Sequence, residues 1–282
     1  MRYEILGPLR IVDDNGPHSI AAKKMQAALA LMLILHDQVV STERLIYEIW
    51  RDRPPRRSMA GIHVYVSHLR KLLARPSDQA ECGNRNRIVT TSSGYMLRLG
   101  CDAVDFEDFR AGVEAGKEHY RAHRHQEAMA SFDDALRLWR GTVLDEIREG
   151  PVVNGFVVRH EEMRLECIEL LLSSALSLGK HREIVGYLYS LVQDHPLHED
   201  FYQKLMFALY RSGRRADALR VYQSARDTLR SELGLEPSRP LRQLHQKILV
   251  ADSWEAATRR DTVSRKLTVR STSGRACDRR SR

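Results

Sequence analysis

No stretch of this chain is apolar for long enough to cross a bilayer. The longest run, Ala27 to Leu35, is nine residues, about half of the ~20 that a membrane helix needs. The N-terminus also lacks a basic segment followed by an apolar signal core, so a cytoplasmic location is expected. Cysteine is scarce: Cys82, Cys101, Cys167 and Cys277 form no C-x-x-C pair and stand near no histidine cluster. Neither a zinc site nor a disulfide framework is suggested, and free thiols are expected. Motifs of catalysis are missing too. Gly116-Lys117 and Gly179-Lys180 lack the upstream glycine and following hydroxyl of a P-loop, and neither G-x-S-x-G nor H-E-x-x-H occurs. His195-Pro196-Leu197-His198-Glu199 follows no metal-ligand spacing. No enzyme activity, cofactor or metal is expected.

What is present suits a globular protein with two domains. The chain has 282 residues, 43% apolar and 29% charged, enough for two separate cores. Its charge is unevenly spread. Residues 1–100 hold 15 Lys/Arg against 9 Asp/Glu, residues 101–252 hold 21 against 25, and residues 253–282 hold 9 against 3. A basic head and tail around an acidic middle suggest that a polyanion meets the ends, because clustered cations release counterions condensed on phosphates.

Tyr3 to Val12 alternates loosely and runs into the turn-like Asp13-Asp14-Asn15-Gly16-Pro17, which predicts a β-hairpin with its second strand near His18 to Ala22. From Lys23 apolar residues recur every three to four positions through His36, a buried helix. Ser41 or Thr42 can cap a second helix bearing Leu45, Ile46, Ile49 and Trp50, stopped by Arg51-Asp52-Arg53-Pro54-Pro55. Ser58 is expected to cap a third that runs to about Leu73. Two strand-like runs, Arg87 to Thr91 and Tyr95 to Leu99, then flank Ser92-Ser93-Gly94, where glycine is expected to take the positive φ of a tight turn. Three helices followed by a hairpin describe a winged helix-turn-helix.

The third helix carries the functional expectation. At 100° per residue Ile62, Val66, Leu69 and Leu73 share one face, while Ala60, Val64, Ser67, His68 and Lys71 lie on the other. A recognition helix needs that pairing: an apolar stripe to seat it and a small polar or basic stripe to enter the major groove. Val64 can touch a thymine methyl. Ser67, His68 and Lys71 are the expected base readers, with Arg57, His63 and Arg70 near phosphates or groove edges and Arg87 and Thr91 completing the DNA-binding set from the wing. The stretch Arg51 to Arg75 holds seven Lys/Arg against one acidic residue, Asp52, which supplies phosphate contacts. A basic face on an isolated helix is usually only solvated; the wing, the charge cluster and the order of elements tip this one towards DNA.

From Asp105 to about Ala251 the chain reads as helix, interrupted at intervals. Gly179-Lys180-His181-Arg182-Glu183 and Gly213-Arg214-Arg215-Ala216-Asp217 stand 34 positions apart, the tetratricopeptide period. Ala128, Phe132 and Ala135 correspond to Ala218, Tyr222 and Ala225, the small and aromatic positions where paired helices pack. Stacked helix pairs leave a concave face that usually binds protein. Residues 253–282 are too poor in apolar groups to offset the entropy of ordering, and a basic disordered tail is expected.

The run His63 to Leu73, followed by Ile88 to Leu97, resembles the recognition helix and wing of the OmpR type. With Leu45-Ile46-Tyr47-Glu48-Ile49-Trp50, Val104-Asp105-Phe106-Glu107-Asp108-Phe109 and Glu232-Leu233-Gly234-Leu235-Glu236-Pro237, the chain is similar to the Streptomyces antibiotic regulatory proteins. It departs from the family pattern at His68, where arginine is common, and at Thr91, where a basic residue is common. The resemblance implies a mainly α protein with a small β component: an OmpR-type winged helix over 1–100, a tetratricopeptide-like bacterial transcriptional activator domain over 101–252, and the basic tail over 253–282. It implies further a transcriptional activator of a secondary-metabolite gene cluster, acting in the nucleoid. Its partners would be direct repeats of double-stranded DNA and RNA polymerase holoenzyme, with homodimers or side-by-side copies on the DNA. Three rivals are weighed at this point: a helical-repeat scaffold whose winged helix does not read DNA, an RNA binder using the tail, and a hydrolase or transferase, for which the sequence offers no catalytic constellation.

Overall fold

The structure is a computed structural model that describes residues 1–74 and 87–250. The expected disordered tail therefore lies outside the described residues. Seven short strands, nine α-helices and a further helical stretch over residues 239–250 lie within them, and the protein is mainly helical. Two compact units form, Met1–Ser174 and a second from Ala175 onward.

The first unit opens with a four-stranded sheet in the order β3-β2-β1-β7, built from β1 (Arg2–Glu4), β2 (Arg10–Asp13), β3 (Gly16–Ser19) and β7 (Ala103–Val104). β1 pairs antiparallel with β2, Tyr3 opposite Ile11, and parallel with β7, Tyr3 opposite Val104. The segment expected as one strand is thus two. Ile5 and Leu6 leave the ladder because their N–H groups bond instead to the buried carboxylate of Asp105, both at 2.9 Å. Burial raises the Asp105 pKa while those two N–H bonds oppose the rise.

Three helices follow: α1 (Lys23–Ile34), α2 (Thr42–Trp50) and α3 (Ser58–Leu72). Ser41 caps α2, its hydroxyl accepting from the Arg44 N–H at 3.1 Å. Ser58, expected to be a cap, is instead the first residue of α3, and the cap position belongs to Arg57 without a side-chain bond. Seven consecutive α1 residues, Ala27 to Leu33, are buried, so this helix is apolar on every side and forms the centre of the winged helix. Leu45, Ile62, Val66 and Leu69 close on it.

A second sheet, β4-β6-β5, consists of β4 (Val40–Ser41), β5 (Ile88–Thr90) and β6 (Gly94–Leu97). Gly94 does not adopt a positive φ. It is buried, and a Cβ there would overlap the Val40 carbonyl oxygen, so glycine is required by the close approach of β4 rather than by turn conformation.

The helices α4 (Asp105–Arg121) and α5 (His125–Leu136) pack as an antiparallel pair. Gly116 lies against the Phe132 ring with no room for a Cβ. Helix α6 (Pro151–Ser177) opens with proline, whose missing N–H is no loss at a helix start. In the second unit α7 (His181–Asp194), α8 (Glu199–Arg211) and α9 (Arg215–Leu233) pack in succession, followed by helix over residues 239–250. The 34-residue repeat is realised in the backbone. Gly179 and Gly213 both take the left-handed conformation, φ 76° and 81°, immediately before α7 and α9. Ala128, Phe132, Ala135 and their counterparts Ala218, Tyr222 and Ala225 are all buried.

The free-thiol expectation fails at Cys101, which is disulfide-bonded; the spacing of the four cysteines carries no sign of it. Cys167 is free and buried, and burial pushes its thiol up to about 12. No helix among the described residues is long and apolar enough to cross a membrane.

Candidate nucleic-acid interface

Helix α3 lies with one face in the core and one in solvent. Ile62, Val66, Leu69 and Leu73 are at most 2% exposed, whereas Val64 is 50% exposed. His63, Ser67, His68 and Lys71 are exposed on the same side. The 3.6-residue period alone produces this division, because residues at i, i+4 and i+7 stack on one stripe.

The exposed stripe is held rigidly. The Tyr95 hydroxyl on β6 lies 2.7 Å from Nδ1 of His63, which engages that nitrogen and leaves Nε2 for the outside. Arg70 crosses from α3 to the wing: its Nε donates to the Ile88 carbonyl at 2.9 Å and its Nη2 to the Thr90 hydroxyl at 2.7 Å. Its guanidinium also lies over the Tyr95 ring, 5.9 Å from the centroid. Helix and wing are thereby joined into one surface, and Arg70 acts as a strut within it.

Two wing residues of the expected set face inward. Arg87 donates to the Leu73 carbonyl at 3.1 Å and pairs with Asp102 at 2.9 Å. The Thr91 hydroxyl is buried with no partner among the described residues. Of the expected set, the structure therefore leaves Arg57, His63, Val64, Ser67, His68 and Lys71 exposed on or beside α3, with Arg70 bonded to the wing, Arg87 turned inward and the Thr91 hydroxyl buried. Arg53 and Arg56 are also exposed, beside Arg57 in the loop before α3. The basic run Arg51 to Arg57 was the signal that could have placed them in the set.

The stop between α2 and α3 is built from aromatic contacts. Trp50 stacks on Tyr65, with centroids 6.1 Å apart, and Lys24 sits over the Trp50 ring at 5.3 Å. Arg51 takes a left-handed φ of 53° and lies over Tyr47. Among the described residues no group of three or more His, Cys, Asp or Glu could hold a metal ion.

Comparison with known proteins finds two matching families. Residues 104–249 match the family described as bacterial transcriptional activator domain, and residues 18–97 match transcriptional regulatory protein, C terminal. The chain is 32% identical over 254 residues to the regulatory protein DnrI of Streptomyces peucetius, covering 89% of this chain and 93% of that one. It is 32% identical over 249 residues to the transcriptional regulatory protein EmbR of Mycobacterium tuberculosis, covering 88% of this chain and 63% of EmbR. With the regulatory protein AfsR of Streptomyces griseus the identity is 35% over 255 residues, 89% of this chain and 25% of AfsR. A solved structure of M. tuberculosis EmbR with a low affinity phosphopeptide superposes with a TM-score of 0.78 at 31% identity, over 88% of this chain and 64% of that one. The chain thus spans less than two thirds of EmbR and a quarter of AfsR.

Proposed function

Because the chain belongs to the Streptomyces antibiotic regulatory protein family, it is a transcriptional regulator, and we propose that it activates a secondary-metabolite gene cluster by reading direct repeats upstream of a promoter. The observation that carries this reading is the exposed stripe of α3, small and polar between two basic ends, braced against the wing by Arg70 and Tyr95.

In this account α3 enters the major groove. Val64 meets a thymine methyl, and Ser67, His68 and Lys71 reach base edges, with the outward Nε2 of His63 beside them. Arg53, Arg56 and Arg57 hold phosphates on one flank, and the wing follows the adjacent backbone. Arg87 and Thr91 support the wing from behind. Residues 1–100 form the DNA-reading part and residues 101–252 the part that contacts protein. Copies bind side by side, or as a homodimer, on tandem sites and recruit RNA polymerase holoenzyme; the work is done at the nucleoid, in the cytoplasm. A groove of about 260 Å³ between α7, α8 and α9, with Tyr189 and Arg220 at its edge, suits a protein contact of this kind.

The test is genome-wide recovery of DNA bound by the native chain and by a Ser67→Ala/Lys71→Ala double variant. A repeated motif upstream of a biosynthetic cluster, enriched by the native protein and lost with the variant, is the expected result. If the native chain enriches no motif, α3 does not read DNA and the repeat-scaffold reading takes its place.

A further inference from the structure

The second unit has a polarised charge of its own. Short connections make α7, α8 and α9 alternate in direction, so the turns 178–180 and 212–214 lie at one end. The rings of His181 and Phe207, 5.7 Å apart, confirm the juxtaposition. The last described helix finishes at the same end, where Arg215 donates to the carbonyls of Ile248 and Leu249 at 3.1 and 3.0 Å. The half of the unit around this end, residues 176–187, 206–220 and 244–250, holds seven Lys/Arg against two acidic residues, Glu183 and Asp217. The opposite half, residues 188–205 and 221–243, holds five against six. All of the unit's excess positive charge is therefore at one end.

Asp217 is occupied there by Arg214 at 2.7 Å and by Arg220. Lys180, Arg182 and Arg211 make no ion pair among the described residues, so their charge is not neutralised by a carboxylate of the unit. Arg182 and Arg211 are exposed. The chain continues from this end into residues 253–282, whose sequence holds nine Lys/Arg against three acidic residues.

We infer that this end of the second unit, centred on Lys180, Arg182 and Arg211, is a second nucleic-acid contact that takes the phosphodiester backbone of duplex DNA outside the bases read by α3. The three cations are spread over two turns and do not converge on a pocket, an arrangement that fits a row of phosphates better than one small anion. A contact of this type adds affinity through counterion release and carries no sequence information. The inference rests on the DNA-binding reading above.

The test uses the full chain and two duplexes, one carrying the motif recovered genome-wide and one scrambled. Affinity is measured at several salt concentrations for the native protein, for Lys180→Gln/Arg182→Gln/Arg211→Gln, and for a control with Arg182→Lys/Arg211→Lys. Each phosphate contact contributes ~0.9 to the slope of log K against log salt, so the glutamine variant is expected to lower the slope by about 2–3 and the lysine control to leave it unchanged. The preference for the motif over the scrambled duplex should be retained, whereas Ser67→Ala/Lys71→Ala should abolish it. Native slope and affinity in the glutamine variant overturn the inference alone. Native DNA binding with lost stimulation of RNA polymerase also overturns it, assigning the end to an acidic protein surface. A native chain that binds neither duplex overturns this inference and the DNA-binding reading together.

Discussion

The Glu48 carboxylate on α2 accepts the N–H of Val153 at the start of α6, Oε1 to N 2.8 Å, across 105 residues of sequence. Its other oxygen takes the N–H of Val152 at 3.1 Å. Glu48 is 2% exposed, so the second helix of the winged fold supplies the buried cap of a helix from the activator domain. The positive end of that helix and its orphan N–H groups stabilise the charge.

Removing this acceptor leaves the buried Val153 N–H and the part-buried Val152 N–H unpaired, at a cost of ~1–3 kcal/mol for the buried one and less for the other. Glu48→Ala is therefore expected to lower stability by several kcal/mol, and Glu48→Gln, which keeps one acceptor oxygen, by less. Urea unfolding of both variants checks the order. Gly150→Ala should resemble Glu48→Ala, because a Cβ at Gly150 would overlap the Glu48 carboxylate.

Glycines at two sites predict opposite signs. Gly94→Ala forces a Cβ into the Val40 backbone and should cost ~1–3 kcal/mol and loosen the wing. Gly186→Ala lies inside α7, where an added Cβ meets nothing within 4 Å, and should stabilise the second unit by about 0.5–1 kcal/mol. Thermal melts of the two variants separate the effects.

His160 is 5% exposed, packed against Phe156 with centroids 3.9 Å apart and planes tilted by 31°, and set edge-on to Phe106. Burial first, then Arg159 and Arg110, lower its pKa below 6.5, against the Phe156 carbonyl bond that raises it. Below 6.5 the unfolded chain binds a proton that the folded chain refuses, so this residue's contribution to stability is full above that pH. It is lost as pH falls towards the lowered folded value. His160→Phe should flatten the difference in stability between neutral and mildly acidic solution, as read by urea unfolding at each pH.

Arg70→Met retains much of the aliphatic packing but loses the bonds to Ile88 and Thr90. Its expected effect is a several-fold loss of DNA affinity with little change in melting temperature, since about 1 kcal/mol of wing placement is released. By contrast Arg57→Ala should weaken binding to all duplexes alike and reduce the salt slope by ~0.9. Ser67→Ala should instead change base preference at one position. Anisotropy titrations against operator variants distinguish the three.

Periodicity alone made α3 legible, because a 3.6-residue repeat of Ile62, Val66, Leu69 and Leu73 leaves one arrangement that buries them all. The 34-residue repeat did the same for α7 and α9, since glycine with positive φ is a local requirement that each copy must meet. Gly94 was legible as an important residue but for the wrong reason: its environment is the β4 backbone, more than 50 positions away in the chain. Arg87 and Thr91 read as wing residues available to phosphate, and only the strand's orientation shows Arg87 turned towards Asp102 and the Thr91 hydroxyl buried.

The sequence by itself determined the helix-turn-helix, its outward stripe, the repeat and the distribution of charge. These depend on spacing along the chain, and the local backbone converts spacing directly into faces. The tertiary structure decided which polar groups were spent on holding the fold: Glu48 on α6, Asp105 on the Ile5 and Leu6 amides, Arg70 on the wing. A carboxylate or guanidinium has the same composition and charge in solvent as in the core. What differs is which desolvated partner arrives from a distant part of the chain, and only packing brings that partner into place.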